Sequence, residues 1–489
     1  MIFTTHAFVL CMVALLLAGL LPQVRRSLAV QNWLLLLASY AFYIAIDGRM
    51  ALLLFGVTAA SYGIALLTEK MMGRERWREA SWLTALGVCL AVGMLIAFKY
   101  LDFFGSSFAA LFSTFGFHAD WTTLNLILPL GISFYTFKII SYIVDVHRER
   151  ISAERDFIRL AAYISFFPTI AAGPIDRPAA FLPQLSKPRS AAYADLVSGL
   201  RLLLWGMFMK ICIADLLAPA TDQLWAHIDE RRAADLWMDF LLYPIQMYAD
   251  FSGYSAMAIG AARLLGLRVA PNFNRPFLAR NVAEYWRRWH MSLTRWITDY
   301  VFMPLNIRWR DYGKAGMCCA IVVNLVVIGM WHGDNWTYAL FGLYHGLLFI
   351  PLVMSGSFMR RTKLMANDKG FPKIDDLWRM AVTYILVSVG FLIFRAPDLA
   401  TLWHYAVSMF QSSAIAAPHM DGYRYGYLVF IVAAFVMEWV KRDTECALEF
   451  SGHGLMRHRA LRWTTYYLLL VCIYLYASGA QTEFIYTQF

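Results

Sequence analysis

Apolar stretches, each near the length of a bilayer-crossing helix, recur along the whole chain with short charged knots between them. They fall at about 7–22, 28–46, 50–68, 82–98, 124–143, 196–218, 238–260, 315–331, 335–352, 379–394, 423–440 and 462–478. A helix of ~20 apolar residues crosses a hydrocarbon core with every backbone N–H and C=O satisfied internally, so such a pattern leaves few folds open. Interrupted apolar pieces near 103–117, 160–172 and 293–305 suit re-entrant or interfacial helices. The reading is all-α: a polytopic integral membrane protein of about 11–12 transmembrane helices, forming a single membrane-embedded domain over 1–489.

Composition closes the soluble alternative. Only 16% of the 489 residues are charged and 60% are hydrophobic, whereas soluble domains carry about 25% charged residues. The net charge of +10 fits the excess of Lys and Arg in cytoplasmic loops, and it would also attract an anionic substrate or partner. With the N-terminus placed outside and the spans alternating, the loops Thr68–Glu79, Asp145–Arg159, Arg263–Lys314, Arg360–Lys373 and Lys441–Arg462 all fall inside. The same count puts both termini outside, including the tail at 479–489. Arg25 and Arg26 follow the first apolar run instead of preceding it, which suggests a retained helix and not a cleaved signal. Basic residues scattered among loops do not suit nucleic acid. The seven cysteines lie mostly in apolar runs without CxxC spacing, as small core residues and not as a disulfide frame or metal site.

Residues 247–346 hold the most chemistry. Asp250 lies in Tyr248-Ala-Asp-Phe-Ser-Gly-Tyr254, inside an apolar stretch. An ionisable group there is costly, so it either serves function or pairs with a nearby arginine to hold helices together. Glu284-Tyr-Trp-Arg-Arg-Trp-His-Met-Ser292 follows. On one helix, Trp286, Trp289 and His290 share neighbouring rows while Arg287 and Arg288 point elsewhere. The third piece is Gly329-Met-Trp-His-Gly-Asp-Asn-Trp336, with His345 further on. His332 at membrane depth can make a structural hydrogen bond or accept a proton near neutral pH. His345, thirteen residues later, would lie on a rather different helical face. The broken segment from Pro168 to Pro178 could line a substrate path or form a re-entrant turn.

Phe167-Pro168 with Ala172-Gly-Pro174, Asp250-Phe-Ser-Gly-Tyr254, Phe273-Asn-Arg-Pro276, the 286–292 motif and Trp331-His-Gly333 occur in this order. Together they resemble the membrane-bound O-acyltransferase superfamily, in its bacterial alginate O-acetyltransferase-like branch. That branch also holds peptidoglycan O-acetyltransferases and the teichoic-acid D-alanyl transfer protein. The resemblance is strongest over 120–350. It implies a central tunnel through a thin partition, in the bacterial cytoplasmic (inner) membrane. An acyl group would enter from a cytosolic thioester and leave outward for O-acylation of an extracytoplasmic polysaccharide.

The family's essential His maps onto His332, here the base, and its second motif position onto His290, for orientation or oxyanion stabilisation. Asp250, Trp286, Arg287, Arg288, Trp331 and Asn335 form the substrate-binding set. The resemblance implies no permanently bound cofactor and no metal, acetyl-CoA as donor, and an extracytoplasmic SGNH/GDSL-type acyltransferase partner. Tyr486, in the aromatic tail, would carry the acyl group; alternatively the tail's aromatic residues anchor it at the interface. A D-alanyl donor on a carrier protein, or a polysaccharide-precursor transporter or flippase, are the competing functions.

Overall fold

The computed structural model describes residues 3, 6–117, 121, 123, 126–359, 370–411, 426–450 and 458–477. Among them the chain is helical, with no β-strand. In chain order the principal helices are α1 (His6–Leu20), α2 (Leu28–Ile44), α3 (Gly48–Met72), α4 (Trp77–Lys99), α5 (Ile132–His147), α6 (Tyr193–Met209) and α7 (Ala233–Leu264). They continue with α8 (Val282–Trp286), α9 (Met291–Ile297), α10 (Gly313–His332), α11 (Trp336–Met354), α12 (Ile374–Arg395), α13 (Gly426–Val440) and α14 (Arg459–Tyr476).

The chain is an all-α polytopic membrane protein. Six of its described helices are long and apolar enough to cross a membrane: Gly48–Met72, Trp77–Lys99, Tyr193–Ala226, Arg310–His332, Trp336–Met354 and Ile374–Arg395. Shorter apolar helices cover Phe8–Leu20, Leu28–Ile44 and Tyr427–Val440. This is fewer than the 11–12 spans expected. Helices α5, α7 and α14 occupy the other expected stretches, and none of them is both long and apolar enough; α5 has 16 residues.

The described chain forms two compact units. The first comprises Met1–Leu200 with Ala258–Ala270. In it the broken 168–178 segment is almost wholly buried. Gly131, at a φ of +69°, lets the chain pass so close that a Cβ there would sit 2.0 Å from the Ile170 carbonyl oxygen. The buried Lys138 amine donates to the Tyr163 carbonyl and the Thr169 hydroxyl, both at 3.1 Å. The Ala270 N–H donates to Asp176 Oδ1 at 2.8 Å. These bonds tie the side chains of Thr169 and Asp176 in the buried segment to Lys138 of α5 and to Ala270.

The second unit comprises Arg201–Met257 with Pro271–Phe489. Its centre is the antiparallel pair α10 and α11. Without a hydrophobic drive between helices in lipid, close backbone approach through small residues supplies the packing. Gly342 and Gly346 form a GxxxG pair, and a Cβ at Gly342 would lie 2.3 Å from the Leu325 carbonyl oxygen. Across the hairpin, a Cβ at Gly329 would lie 2.1 Å from the Tyr338 carbonyl oxygen. Asn335 caps α11, its Oδ1 accepting from the Thr337 N–H at 3.0 Å. The hairpin thus delivers His332 as the last residue of α10, beside the turn.

Candidate active site

Asn272 is the hub from which the site is built. Its side chain is fully buried, with 0% exposure. Oδ1 accepts from the Ser292 N–H at 3.3 Å and the Ser292 hydroxyl at 2.8 Å, while Nδ2 donates to the Ser255 hydroxyl at 2.9 Å. Because a backbone N–H can only donate, this pattern fixes Oδ1 as the acceptor. His290 Nδ1 lies 3.0 Å from the same Oδ1, so Nδ1 carries the proton and Nε2 carries the lone pair.

These bonds also shape the backbone. The Met291 N–H donates to the Asn272 carbonyl at 2.8 Å and the Asn274 N–H to the Arg288 carbonyl at 2.9 Å. His290 adopts φ +41°, in the left-handed region that a non-glycine residue rarely occupies. The continuous helix expected across 284–292 is therefore broken. Helix α8 stops at Trp286, and α9 starts at Met291 with His290 as its N-cap residue. Non-local pairing with 272–274 overrides the helical spacing of the motif. His290 lies outside the six spanning helices, and burial pushes its imidazole down to about 3 from the usual 6.5.

Trp331 joins the two histidine motifs. Its ring meets that of His290 edge-on at 5.9 Å and that of His332 at 4.9 Å between centroids. Phe341 at 6.3 Å and Phe394 at 5.1 Å complete an aromatic wall around His332. Phe251, next to Asp250, packs edge-on against His290 at 4.7 Å. His290, Trp331 and His332 are all buried, so a reacting group that reached them would be shielded from bulk water.

This chain is 34% identical to the probable alginate O-acetylase of Pseudomonas aeruginosa over 417 residues, which is 83% of this chain and 76% of that protein. It is 29% identical to the peptidoglycan O-acetyltransferase of Helicobacter pylori over 427 residues, 81% of this chain and 77% of that one. It is 31% identical to the teichoic acid D-alanyltransferase of Streptococcus thermophilus over 301 residues, 58% and 71%. The pattern of the MBOAT, membrane-bound O-acyltransferase family, matches residues 147–380. The chain belongs to the membrane-bound O-acyltransferase family. It is an O-acyltransferase.

Within this acyltransferase the other candidate residues have definite surroundings. Trp286 Nε1 donates to His345 Nδ1 at 3.3 Å, and the His345 ring lies 4.7 Å from that of Phe341, the residue that also walls His332. His345 thus belongs beside the site. The helical-face count that set it aside does not apply, because the chain turns at Gly333–Asn335 between α10 and α11. Gly390 of α12 makes room for it, since a Cβ there would lie 2.3 Å from His345 Nε2.

Asp250 is paired with Lys210 at 2.8 Å, and Lys210 also reaches Asp215 at 2.9 Å, so the partner is a lysine and not an arginine. Arg288 chelates Glu284 through Nε at 3.2 Å and Nη2 at 2.8 Å, and Arg287 donates to the Phe358 carbonyl at 3.1 Å. Asn335 adds a bond to the Pro397 carbonyl to its capping bond. Asp250, Arg287, Arg288 and Asn335 therefore all make contacts that hold the scaffold. Tyr486 lies outside the described residues.

Two participants escaped the sequence reading. Asn272 immediately precedes the Phe273–Pro276 motif, and no local spacing marks it, because its three partners are 17 to 20 residues away. Glu438, whose carboxylate accepts from the Tyr248 hydroxyl at 2.5 Å, stands as a lone acid in the apolar helix α13. That isolation was its visible signal.

Proposed function

We propose that this protein takes an acetyl group from acetyl-CoA at the cytosolic face of the bacterial inner membrane and moves it outward for O-acetylation of an extracytoplasmic polysaccharide, alginate, peptidoglycan or similar. The observation that carries the reading is the buried site where His290 and His332, from two separate motifs, both meet Trp331. The thioester carbonyl is already activated, so the enzyme must chiefly supply a base, position the acceptor and exclude water. His332 takes the proton of the acceptor hydroxyl as the oxygen attacks the carbonyl carbon. The C–O bond forms, the C–S bond breaks, and the departing thiolate takes the proton back from the imidazolium.

His290 orients a reacting group. With Nδ1–H committed to Asn272 and burial keeping the ring neutral, Nε2 accepts a hydrogen bond but cannot donate one to an oxyanion. Of the two roles open to it, orientation is the one its hydrogen bonding supports. Tyr486 supplies the acceptor phenol, and its ester passes the acetyl group to an SGNH/GDSL-type partner outside. A central tunnel brings donor and acceptor to the site from opposite faces.

Purified protein given radiolabelled acetyl-CoA should acquire label. His332→Ala should slow labelling by about 10²–10⁴-fold, the range for a general base, and Tyr486→Phe should abolish stable label. Label that survives both substitutions overturns the mechanism. Labelling from a D-alanyl carrier protein but not from acetyl-CoA would favour the second reading, to which the similarity to teichoic acid D-alanyltransferases lends weight.

A further inference from the structure

A cavity of about 250 Å³ lies wholly within the first unit. Leu15, Leu16, Leu34, Leu35, Leu264 and Leu267 give it an apolar wall. Its charged lining is entirely basic, consisting of Arg25 and Arg189, and includes no carboxylate. The two arginine-bearing segments are tied together by one side chain. Gln31 Oε1 accepts from the Arg189 N–H at 2.7 Å, while Gln31 Nε2 donates to the Arg189 carbonyl at 2.9 Å and the Arg25 carbonyl at 3.3 Å. Arg189 Nη1 donates to Asn32 Oδ1 at 2.8 Å, which aims the guanidinium without neutralising it. Neither arginine forms an ion pair among the described residues. The nearby Asp195, in the first turn of α6, is engaged by Arg268 at 3.4 Å. Ser190 and Ala191, also in the lining, immediately precede α6, whose positive N-terminal end adds to the attraction for an anion.

We infer that this cavity binds an anionic phospholipid, with an acyl chain along the leucine wall and the phosphate at Arg25 and Arg189. A soluble anion would satisfy the guanidiniums but leave the leucines uncovered. A zwitterionic lipid would set its ammonium against two like charges. Basic pockets between membrane helices capture acidic headgroups on the same grounds. Nothing in this inference depends on the acetyl-transfer reading; it needs only that the protein resides in a bilayer.

The test is native mass spectrometry of the full-length protein in detergent. Phosphatidylglycerol and phosphatidylcholine of identical chains are added, with CoA as a soluble competitor. The protein should retain phosphatidylglycerol over phosphatidylcholine. Arg25→Gln should weaken retention about fivefold, the factor for one basic side chain at an anionic headgroup. Gly19→Trp should abolish it by filling the cavity, since nothing lies within 4 Å of a Cβ at that position. Circular dichroism confirms that the helices remain in both variants. Equal retention of the two lipids, or undiminished retention by Gly19→Trp, overturns the proposal. Displacement by CoA would reassign the cavity to a soluble phosphate and overturn it as well.

Discussion

Asn272 decides which nitrogen of His290 carries a proton, and that choice is open to substitution. In Asn272→Asp a carboxylate would face Nδ1 at the present 3.0 Å. An opposite charge at such a distance favours the imidazolium and raises its pKa by about one to three units from the present value of about 3. Transfer activity should then show an acidic limb displaced upward, falling as pH drops through the new value. A pH–rate profile of acetyl transfer reads this directly, and an unchanged profile would remove His290 from the chemistry. The same burial affects folding. An unfolded chain protonates this imidazole near 6.5, whereas the folded one resists until about 3. Between these values the unfolded state holds the extra proton, so stability is full above pH 6.5 and declines as pH falls through the window. His290→Phe should flatten that slope, as judged by thermal unfolding in detergent at about pH 4.5 and about pH 7.5. Equal slopes in the two proteins would contradict the buried neutral ring.

The α10–α11 hairpin shows what an element must do before either histidine can act. Gly342→Leu would drive a side chain into the Leu325 backbone, where even a Cβ would lie 2.3 Å from the carbonyl oxygen. Overpacking of this kind costs about 1–3 kcal/mol and shifts the backbone. The variant should unfold at lower temperature in detergent and lose transfer, because His332 ends one arm of the hairpin. Gly56→Ala in α3, with nothing within 4 Å of its Cβ, is the neutral control. If both variants behaved alike, close approach would not be what places His332. The hairpin was legible in the sequence: apolar runs at 315–331 and 335–352 flank a glycine break, and the helices cover Gly313–His332 and Trp336–Met354. The 284–292 stretch was not. Its spacing is helical, but hydrogen bonds to Asn272 and Asn274 from a separate segment turn His290 into the left-handed region. Local periodicity cannot announce a partner 18 residues away. For the same reason, Lys210 passed unnoticed inside an apolar run, although it holds Asp250.

At the scale of the whole molecule, an acyltransferase embedded in a bilayer has to be oriented, and the lysines and arginines supply the argument. The basic knots, including Arg74 and Arg76 between α3 and α4 and Lys441–Arg442 after α13, fall on one side when the expected spans alternate. Loops rich in Lys and Arg stay on the cytoplasmic side during insertion. Under the proposed function, a thioester donor with phosphate groups is attracted to that side and the tail carrying Tyr486 falls on the other. Fewer helices meet the length and hydropathy requirement than the apolar stretches suggested, so the alternation itself needs a direct test. Alkaline phosphatase, active only outside the cytoplasm, serves as the reporter. A fusion after Arg74 should be inactive and one after Phe489 active. Activity in the first fusion, or none in a stably expressed second one, would place the basic loops or the tail on the wrong face. Outward transfer through Tyr486 would then be impossible, even with the histidine site intact.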